Sequence, residues 1–194
     1  MKPIMCGIDR IETDPEILKN QKAGLITNHT GVNRELESTI DILKESENLV
    51  CLFAPEHGVR GELQAGATVS DSIDKNSGAG VYSLYGKNRK PTEALLRDVD
   101  VLVYDIQDVG ARYYTYLSTM ACGMEAAKDT KKKFMVLDRP NPLGGVRTEG
   151  DILNSKFSSF IGRYPIPARY GLTAGELAGL INCEFGIGCD LEVV

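Results

Sequence analysis

The sequence predicts a doubly wound α/β fold, in which a mostly parallel β-sheet is covered by helices on both faces. Four short segments are apolar along most of their length and read as strands: residues 23–27, 49–53, 99–106 and 134–137. Continuous apolar strands are typical of parallel sheets that are buried on both faces. Segments with helical spacing of apolar residues separate the strands, and this alternation requires crossover connections that place helices on the sheet.

Helices are predicted between the strands at residues 35–47, 92–97, 113–128 and 173–185. The last of them has a cap residue, Thr173, followed three residues later by Glu176, a pattern that marks a helix start. A short strand is expected at residues 81–85 and a final strand at residues 191–194. The connection from residue 54 to residue 90 is unusually long, and such loops are normally functional.

Composition excludes several classes of protein. The 194 residues include 22 Lys and Arg against 27 Asp and Glu, a net charge of −5, so we expect no nucleic-acid partner. No apolar stretch is long enough for a membrane span or a secretory signal, so we expect no membrane partner and a cytoplasmic location. Oligomeric state is left open, and a homo-oligomer is compatible with the sequence.

We also expect no metal and no cofactor. The five cysteines contain no C-x-x-C pair, and the two histidines are too few for a multi-histidine metal site, whereas an ion bound by carboxylates alone is compatible with the sequence. The turn after the first strand has a single glycine, whereas dinucleotide-binding turns carry several. A nucleotide-dependent reaction is therefore disfavoured.

Polar residues follow four of the predicted strands. In open α/β sheets, ligands bind outside the carboxyl ends of the strands, so these residues are candidates for a site. They are Asn28 after the first strand, Glu56, His57 and Arg60 after the second, Asp105, Asp108 and Arg112 at the third, and Asp138 and Asn141 after the fourth. Any one cluster fits an ordinary polar loop, but four of them at one edge predict a functional site.

Glu56 is the candidate of greatest interest, because it follows a buried strand and lies next to glycines that allow close approach of other groups. Partial desolvation raises the pKa of a carboxyl group and suits it to general-acid catalysis, as in glycosidases. The alternative is a structural glutamate that caps a turn or pairs with Arg60. His57 is expected in a supporting role, either orienting Glu56, donating to a substrate or filling a turn.

The remaining acidic residues have several interpretations. Asp105 and Asp108, with Arg112, could supply a second catalytic carboxylate, a clamp on sugar hydroxyls or an internal ion pair. Asp138 and Asn141 lie in a proline-rich turn that would hold them rigidly, although rigid turns also occur without function.

Five segments, read in order, resemble those of one protein family. They are GLITNHTG at 24–31, LFAPEHGVRG at 52–61, DVLVYDIQDVGARYYTY at 100–116, LDRPNPLGG at 137–145 and PIPARYGLTAGEL at 165–177. The chain resembles the NamZ-like (YbbC-like) exo-β-N-acetylmuramidases, formerly a bacterial domain of unknown function. The resemblance implies a Rossmann-like catalytic domain over residues 1–194, followed in the family by a smaller C-terminal domain that we expect to be missing from this chain, with the active-site cleft where the two meet.

The resemblance also implies release of N-acetylmuramic acid from the non-reducing end of peptidoglycan fragments, in cell-wall turnover and recycling. The family's proposed catalytic glutamate falls on Glu56, with Asp105 and Asp108 as candidates for a second catalytic carboxylate. The implied substrate-binding residues are Asn28, His57, Arg60, Arg112, Tyr116, Asp138, Asn141 and Tyr170. Tyr170 stands where the family usually has histidine.

Two other functions compete with hydrolysis of a glycosidic bond. The first is a non-catalytic module that binds muropeptides or sugars and lacks its partner domain. The second is an α/β enzyme acting on a nucleotide sugar, which the missing glycine-rich turn makes the weaker hypothesis.

Overall fold

The computed structural model describes residues 4–61, 71–86 and 88–194, and a seven-stranded sheet runs through them. The strands are β1 (Ala23–Thr27), β2 (Leu49–Ala54), β3 (Ser72–Ile73), β4 (Gly80–Ser83), β5 (Val101–Asp105), β6 (Lys133–Val136) and β7 (Asp190–Val193). Their spatial order is β3-β4-β2-β1-β5-β6-β7. All neighbouring pairs are parallel except β3 and β4, which are antiparallel.

Without the two-residue strand β3, the order of the six parallel strands is that of the Rossmann fold. The chain builds outward from β1 through β2 to β4, and then returns to the other side of β1 to form β5, β6 and β7. The order therefore reverses between β1 and β5. This arrangement confirms the predicted fold class, and the reversal matters because it opens a crevice at the carboxyl edge of the sheet.

Helices cover both faces of the sheet. They are α1 (Gly7–Thr13), α2 (Thr39–Glu45), α3 (Tyr116–Thr130) and α4 (Ala174–Glu184). Helices α1 and α2 pack on one face of the sheet, in a core cluster that includes Leu25 of β1. Helices α3 and α4 pack on the opposite face, in a second cluster that includes Ile26 of the same strand. Within the described ranges, no helix is long and apolar enough to cross a membrane.

Several predicted boundaries were wrong. Residues 92–97 form consecutive turns rather than a helix, with the amides of Leu95 and Leu96 both donating to the Thr92 carbonyl. Helix α2 begins at Thr39 instead of residue 35 because Leu36 has a φ of 65°, in the left-handed region that a helix excludes. The sequence analysis missed α1 and β3. Residues 62–70 and 87 of the long connection lie outside the described residues.

The predicted start of the last helix is confirmed, and Asp138 reinforces it. The Thr173 hydroxyl accepts from the Glu176 amide and donates to Asp138 Oδ2 at 2.7 Å. Asp138 Oδ1 accepts from the Gly175 amide at 2.8 Å. A Cβ atom on Gly175 would lie 2.8 Å from the carboxyl carbon of Asp138, so this contact requires glycine. Asp138 thus fastens the end of β6 to the first turn of α4.

The substitution Asp138→Ala is expected to lower the free energy of unfolding by about 2 kcal/mol, because amide and hydroxyl donors at a helix start lose their acceptor. Urea denaturation would measure the change. The control is Asp129→Ala, which removes only an exposed ion pair with Lys90 and should cost less than about 1 kcal/mol. Equal effects of the two substitutions would contradict the role given to Asp138.

Candidate functional site

The four strands that precede the polar clusters are neighbours in the sheet, in the order β2-β1-β5-β6, and all of them are parallel. Their carboxyl ends therefore share one edge, as predicted. The polar side chains at this edge separate into two groups. One group is bound to other protein groups, and the other surrounds the reversal between β1 and β5.

Asp105 belongs to the first group. Its carboxylate is fully buried and accepts from Arg139 Nε at 2.6 Å, from Arg139 Nη2 at 2.9 Å and from the Thr39 hydroxyl at 2.5 Å. Both oxygens are occupied, so the geometry argues against the predicted catalytic role. The ion-pair interpretation fits better, with Arg139 as the partner instead of Arg112.

Arg60 is also held by protein groups. Its guanidinium makes paired hydrogen bonds with both Asp41 and Asp74, at 2.9–3.1 Å. The hydrogen bonds with Asp41 and Asp74 raise the pKa of Arg60, and Arg60 lowers the pKa of Asp74 to about 2. The predicted alternative of a Glu56–Arg60 pair is replaced by these contacts, which leave Arg60 poorly placed to bind a sugar.

Three further candidates bond to the backbone. Asp138 holds the start of α4, and Asn141 donates to the Leu172 carbonyl at 2.8 Å. Arg112 donates to the carbonyls of Asp151 and Ile166. The geometry therefore favours a structural role for these residues, which shape the loops around the edge.

The second group lies near Tyr116, the first residue of α3. Burial raises the pKa of Tyr116, the side-chain amide of Asn28 lowers it, and the charges of Glu56 and Asp108 raise it. Asn28 after β1 is thus within hydrogen-bonding range of Tyr116, and Glu56 after β2 and Asp108 after β5 are close enough for their charges to act on it. Asn28, Glu56, Asp108 and Tyr116 form what we call the reversal site.

Asp108 is the buried acid of the reversal site, with 5% of its surface exposed. Its Oδ2 accepts from the Gly110 amide at 3.1 Å, while the buried Oδ1 has no hydrogen-bond partner among the described residues. Burial raises the pKa of Asp108 to about 6, although the amides of Gly110 and Val109 lower it. A carboxyl group with this pKa can hold a proton close to neutral pH, as a general acid must.

Glu56 is the more accessible acid of the reversal site, because its side chain is half-buried. Its Oε2 accepts from the Thr115 hydroxyl at 3.3 Å, and a hydrogen bond with Glu56 raises the pKa of Tyr85. His57 follows with a φ of 74°, a left-handed conformation in the tight turn after β2. The sequence analysis missed Thr115 and Tyr85, although both lie in segments that it had singled out.

Two further candidates, Asn28 and Tyr170, are buried at this edge of the sheet. Asn28 is 2% exposed, and its Oδ1 accepts from the amide and the hydroxyl of Thr30. Tyr170 is buried in the core cluster beneath α3 and α4, and it lines a narrow depression together with Asp108 and Asn141. In the part of the chain that is described, no group of three or more His, Cys, Asp or Glu side chains could hold a metal ion.

The fold and the site define a Rossmann-like α/β domain with two carboxyl groups and a tyrosine at the reversal of its strand order. Residues 23–194 match the family described as "Exo-beta-N-acetylmuramidase NamZ, N-terminal". The chain belongs to this family, which confirms the resemblance stated above.

Relatives support this membership. The chain is 55% identical to "Peptidoglycan beta-N-acetylmuramidase NamZ" of Bacillus subtilis (strain 168), across 98% of this chain and 47% of that protein. Two crystal structures of DUF1343 family proteins from Bacteroides fragilis superpose with TM-scores of 0.89 and 0.85, at 49% and 37% identity. They are matched over 97% and 100% of this chain, and over 49% and 52% of their own lengths. The chain thus spans about half the length of these relatives.

The substitution Asp108→Asn is expected to make stability less dependent on pH. Burial raises the folded-state pKa to about 6 from an ordinary 3.8, so the folded protein binds the proton more tightly than the unfolded chain does. In wild type, the contribution of this group to the free energy of unfolding is therefore fully present below pH 3.8. It is lost as pH rises through about 6. The loss amounts to about 3 kcal/mol.

Urea denaturation of both proteins between pH 4 and pH 8 tests this expectation. The unfolding free energy of Asp108→Asn relative to wild type should increase across that interval. A constant difference would show that the proton affinity of Asp108 is the same in the folded and unfolded chains.

Proposed function

We propose that this chain is the catalytic N-terminal part of a glycoside hydrolase that releases N-acetylmuramic acid from the non-reducing end of peptidoglycan fragments. The observation that carries the proposal is the pair of carboxyl groups at the reversal site, one buried with a raised pKa and one half-exposed. Family membership and the 55% identity to a peptidoglycan β-N-acetylmuramidase support the substrate class.

The two acids divide the chemistry of glycosidic cleavage between them. Asp108, with its pKa near 6, is suited to protonate the leaving oxygen as the bond to the anomeric carbon breaks. Glu56 is the second carboxyl group, oriented by Thr115 and Tyr85. It would stabilise positive charge at the anomeric carbon or guide its attacker, which is either water or the acetamido oxygen of the substrate. This division assigns the proton donor to Asp108, whereas the sequence alone favoured Glu56.

Aromatic residues beside the reversal site suit a sugar ligand. Tyr113 and Tyr114 precede Thr115 and are 64% and 47% exposed. Their ring faces can pack on the apolar face of a pyranose, while their hydroxyls remain in water. A saccharide is therefore a better fit to this edge than a purely apolar ligand.

Glu56→Gln and Asp108→Asn are each expected to lower the release of N-acetylmuramic acid from a MurNAc–GlcNAc disaccharide by about 100-fold or more, since each removes an acid–base or charge-stabilising group. The matched controls are Glu93→Gln, in an exposed turn, and Asp129→Asn, near the far end of α3. Both controls should keep wild-type rates. Circular dichroism would show whether each variant is folded.

Full activity of folded Glu56→Gln would contradict the proposal. Binding of N-acetylmuramic acid without turnover by the folded wild-type chain would favour a second function, a non-catalytic sugar-binding module.

The pH profile should identify the proton donor. With Asp108 as the acid, kcat/KM falls as pH rises above about 6, because the proton on its carboxyl group is lost. Rate measurements from pH 4 to pH 9 would locate this alkaline limb. The residual activity of Asp108→Asn should show no such fall of kcat/KM as the pH rises. An unchanged limb in that variant would assign the proton donor to Glu56 or another group.

A further inference from the structure

Tyr116 has no part in the division of labour between the two acids, although it lies in the same site. It is half-buried, so part of its surface remains accessible, whereas Asn28 and Asp108 are 2% and 5% exposed. Among the described residues, none accepts a hydrogen bond from the Tyr116 hydroxyl. The proton of this hydroxyl is therefore available to a ligand.

Asn28 determines where that proton points. Its Oδ1 accepts from the hydroxyl of Thr30 at 2.6 Å and from the backbone amide of Thr30 at 2.9 Å. Its Nδ2 makes no hydrogen bond of ordinary geometry, but the side chain lies within hydrogen-bonding range of Tyr116 and lowers the pKa of the phenol. An interaction that lowers this pKa favours the phenolate, so Asn28 acts as a donor to Tyr116. The oxygen of Tyr116 faces Asn28, and its proton points elsewhere.

Thr30 fixes this arrangement relative to the buried acid. While its hydroxyl donates to Asn28, it accepts from the backbone amide of Gln107 at 2.9 Å. Gln107 directly precedes Asp108 in the loop after β5. The chain of hydrogen bonds therefore starts in the loop that carries the acid and ends at the oxygen of Tyr116.

The buried residue Tyr104 indicates that Tyr116 and Asp108 are close. Its hydroxyl donates to the backbone carbonyl of Tyr116 at 3.4 Å. Burial and the charge of Asp108 raise the pKa of Tyr104, and burial together with the charges of Glu56 and Asp108 raises the pKa of Tyr116. Tyr116 thus lies near the proton donor and keeps its own proton around neutral pH.

The chemistry of glycosidic cleavage selects the oxygen that benefits from a donor at this position. As the bond to the anomeric carbon breaks, positive charge develops on that carbon and on the ring oxygen, and an attacking acetamido oxygen also loses electron density. The leaving oxygen gains negative charge instead. A hydrogen bond donated to the leaving oxygen therefore becomes stronger in the transition state and accelerates the reaction.

We propose that Tyr116 is a catalytic residue that donates a hydrogen bond to the leaving oxygen while Asp108 protonates this oxygen. The electron pair of the broken bond passes from the anomeric carbon to the leaving oxygen, which takes the proton of Asp108. Tyr116 keeps its own proton throughout. The inference rests on the proposed function, since it requires cleavage of a glycosidic bond.

Two substrates with different leaving groups test the role of Tyr116. The MurNAc–GlcNAc disaccharide releases a sugar hydroxyl, which needs a donor, whereas the para-nitrophenyl glycoside of N-acetylmuramic acid releases a stable phenolate. Tyr116→Phe should lower kcat for the disaccharide by about 100-fold and kcat for the nitrophenyl glycoside by less than about threefold. Thr30→Val, which removes the support of Asn28, should lower kcat for the disaccharide alone, by about tenfold.

The matched control is Tyr164→Phe. It removes the hydroxyl of another half-buried tyrosine, whose ring stacks on Phe185 at the end of α4 with centroids 4.9 Å apart. This variant should keep wild-type rates on both substrates. Circular dichroism would show whether each variant is folded.

Equal slowing of both substrates by Tyr116→Phe would overturn the proposal, because it would show a general structural role. Full activity of the folded variant on the disaccharide would also overturn it, and Thr30→Val decides the same question if Tyr116→Phe does not fold. Lack of turnover by the folded wild type rejects the proposed function and, with it, a catalytic role of Tyr116. Turnover that depends on Glu56 but not on Tyr116 rejects this inference alone.

Discussion

The buried ion pair between Asp105 and Arg139 is the interaction on which the carboxyl edge of the sheet depends. Besides Asp105, Arg139 donates to the Val32 carbonyl at 2.8 Å, and Asp105 accepts from Thr39 at the start of α2. The pair therefore joins the ends of β5 and β6 to the loop after β1 and to α2. Burying two charges has a high desolvation cost, and loss of either partner would leave the other uncompensated. The loops at the reversal site are held in place by this pair.

The ion pairs also determine which acids remain available for chemistry. Asp105, Asp74 and Asp41 are neutralised by arginines, and Asp138 is bound to the first turn of α4. In the described parts of the chain, no ion pair with Lys or Arg involves Glu56 or Asp108. Because fixed cations would hold a carboxylate deprotonated, their absence is what allows burial to raise the pKa of Asp108 to about 6.

Local chemistry accounts for the parts of this structure that the sequence predicts well. Apolar runs identify the strands, and the cap at Thr173 identifies the start of α4, because both signals act within a few residues. The pairing of side chains could not be predicted in the same way. Asp105 and Arg139 are 34 residues apart, so their contact follows from strand order. The left-handed turn at Leu36, which delays α2, has no marker such as glycine or asparagine.

The location of the reversal site explains why it contains a buried acid with an unpaired oxygen. At the reversal, the chain leaves β1 and β5 in opposite directions, which opens a crevice between the loops that follow them. Asn28 follows β1 and Asp108 lies three residues beyond β5, so they are placed on the two sides of this crevice. Asp108 Oδ1 is buried without a hydrogen-bond partner among the described residues, which costs about 1–3 kcal/mol. A ligand group that bonds to this oxygen recovers the cost on binding, so the unpaired atom weakens the free fold and strengthens recognition.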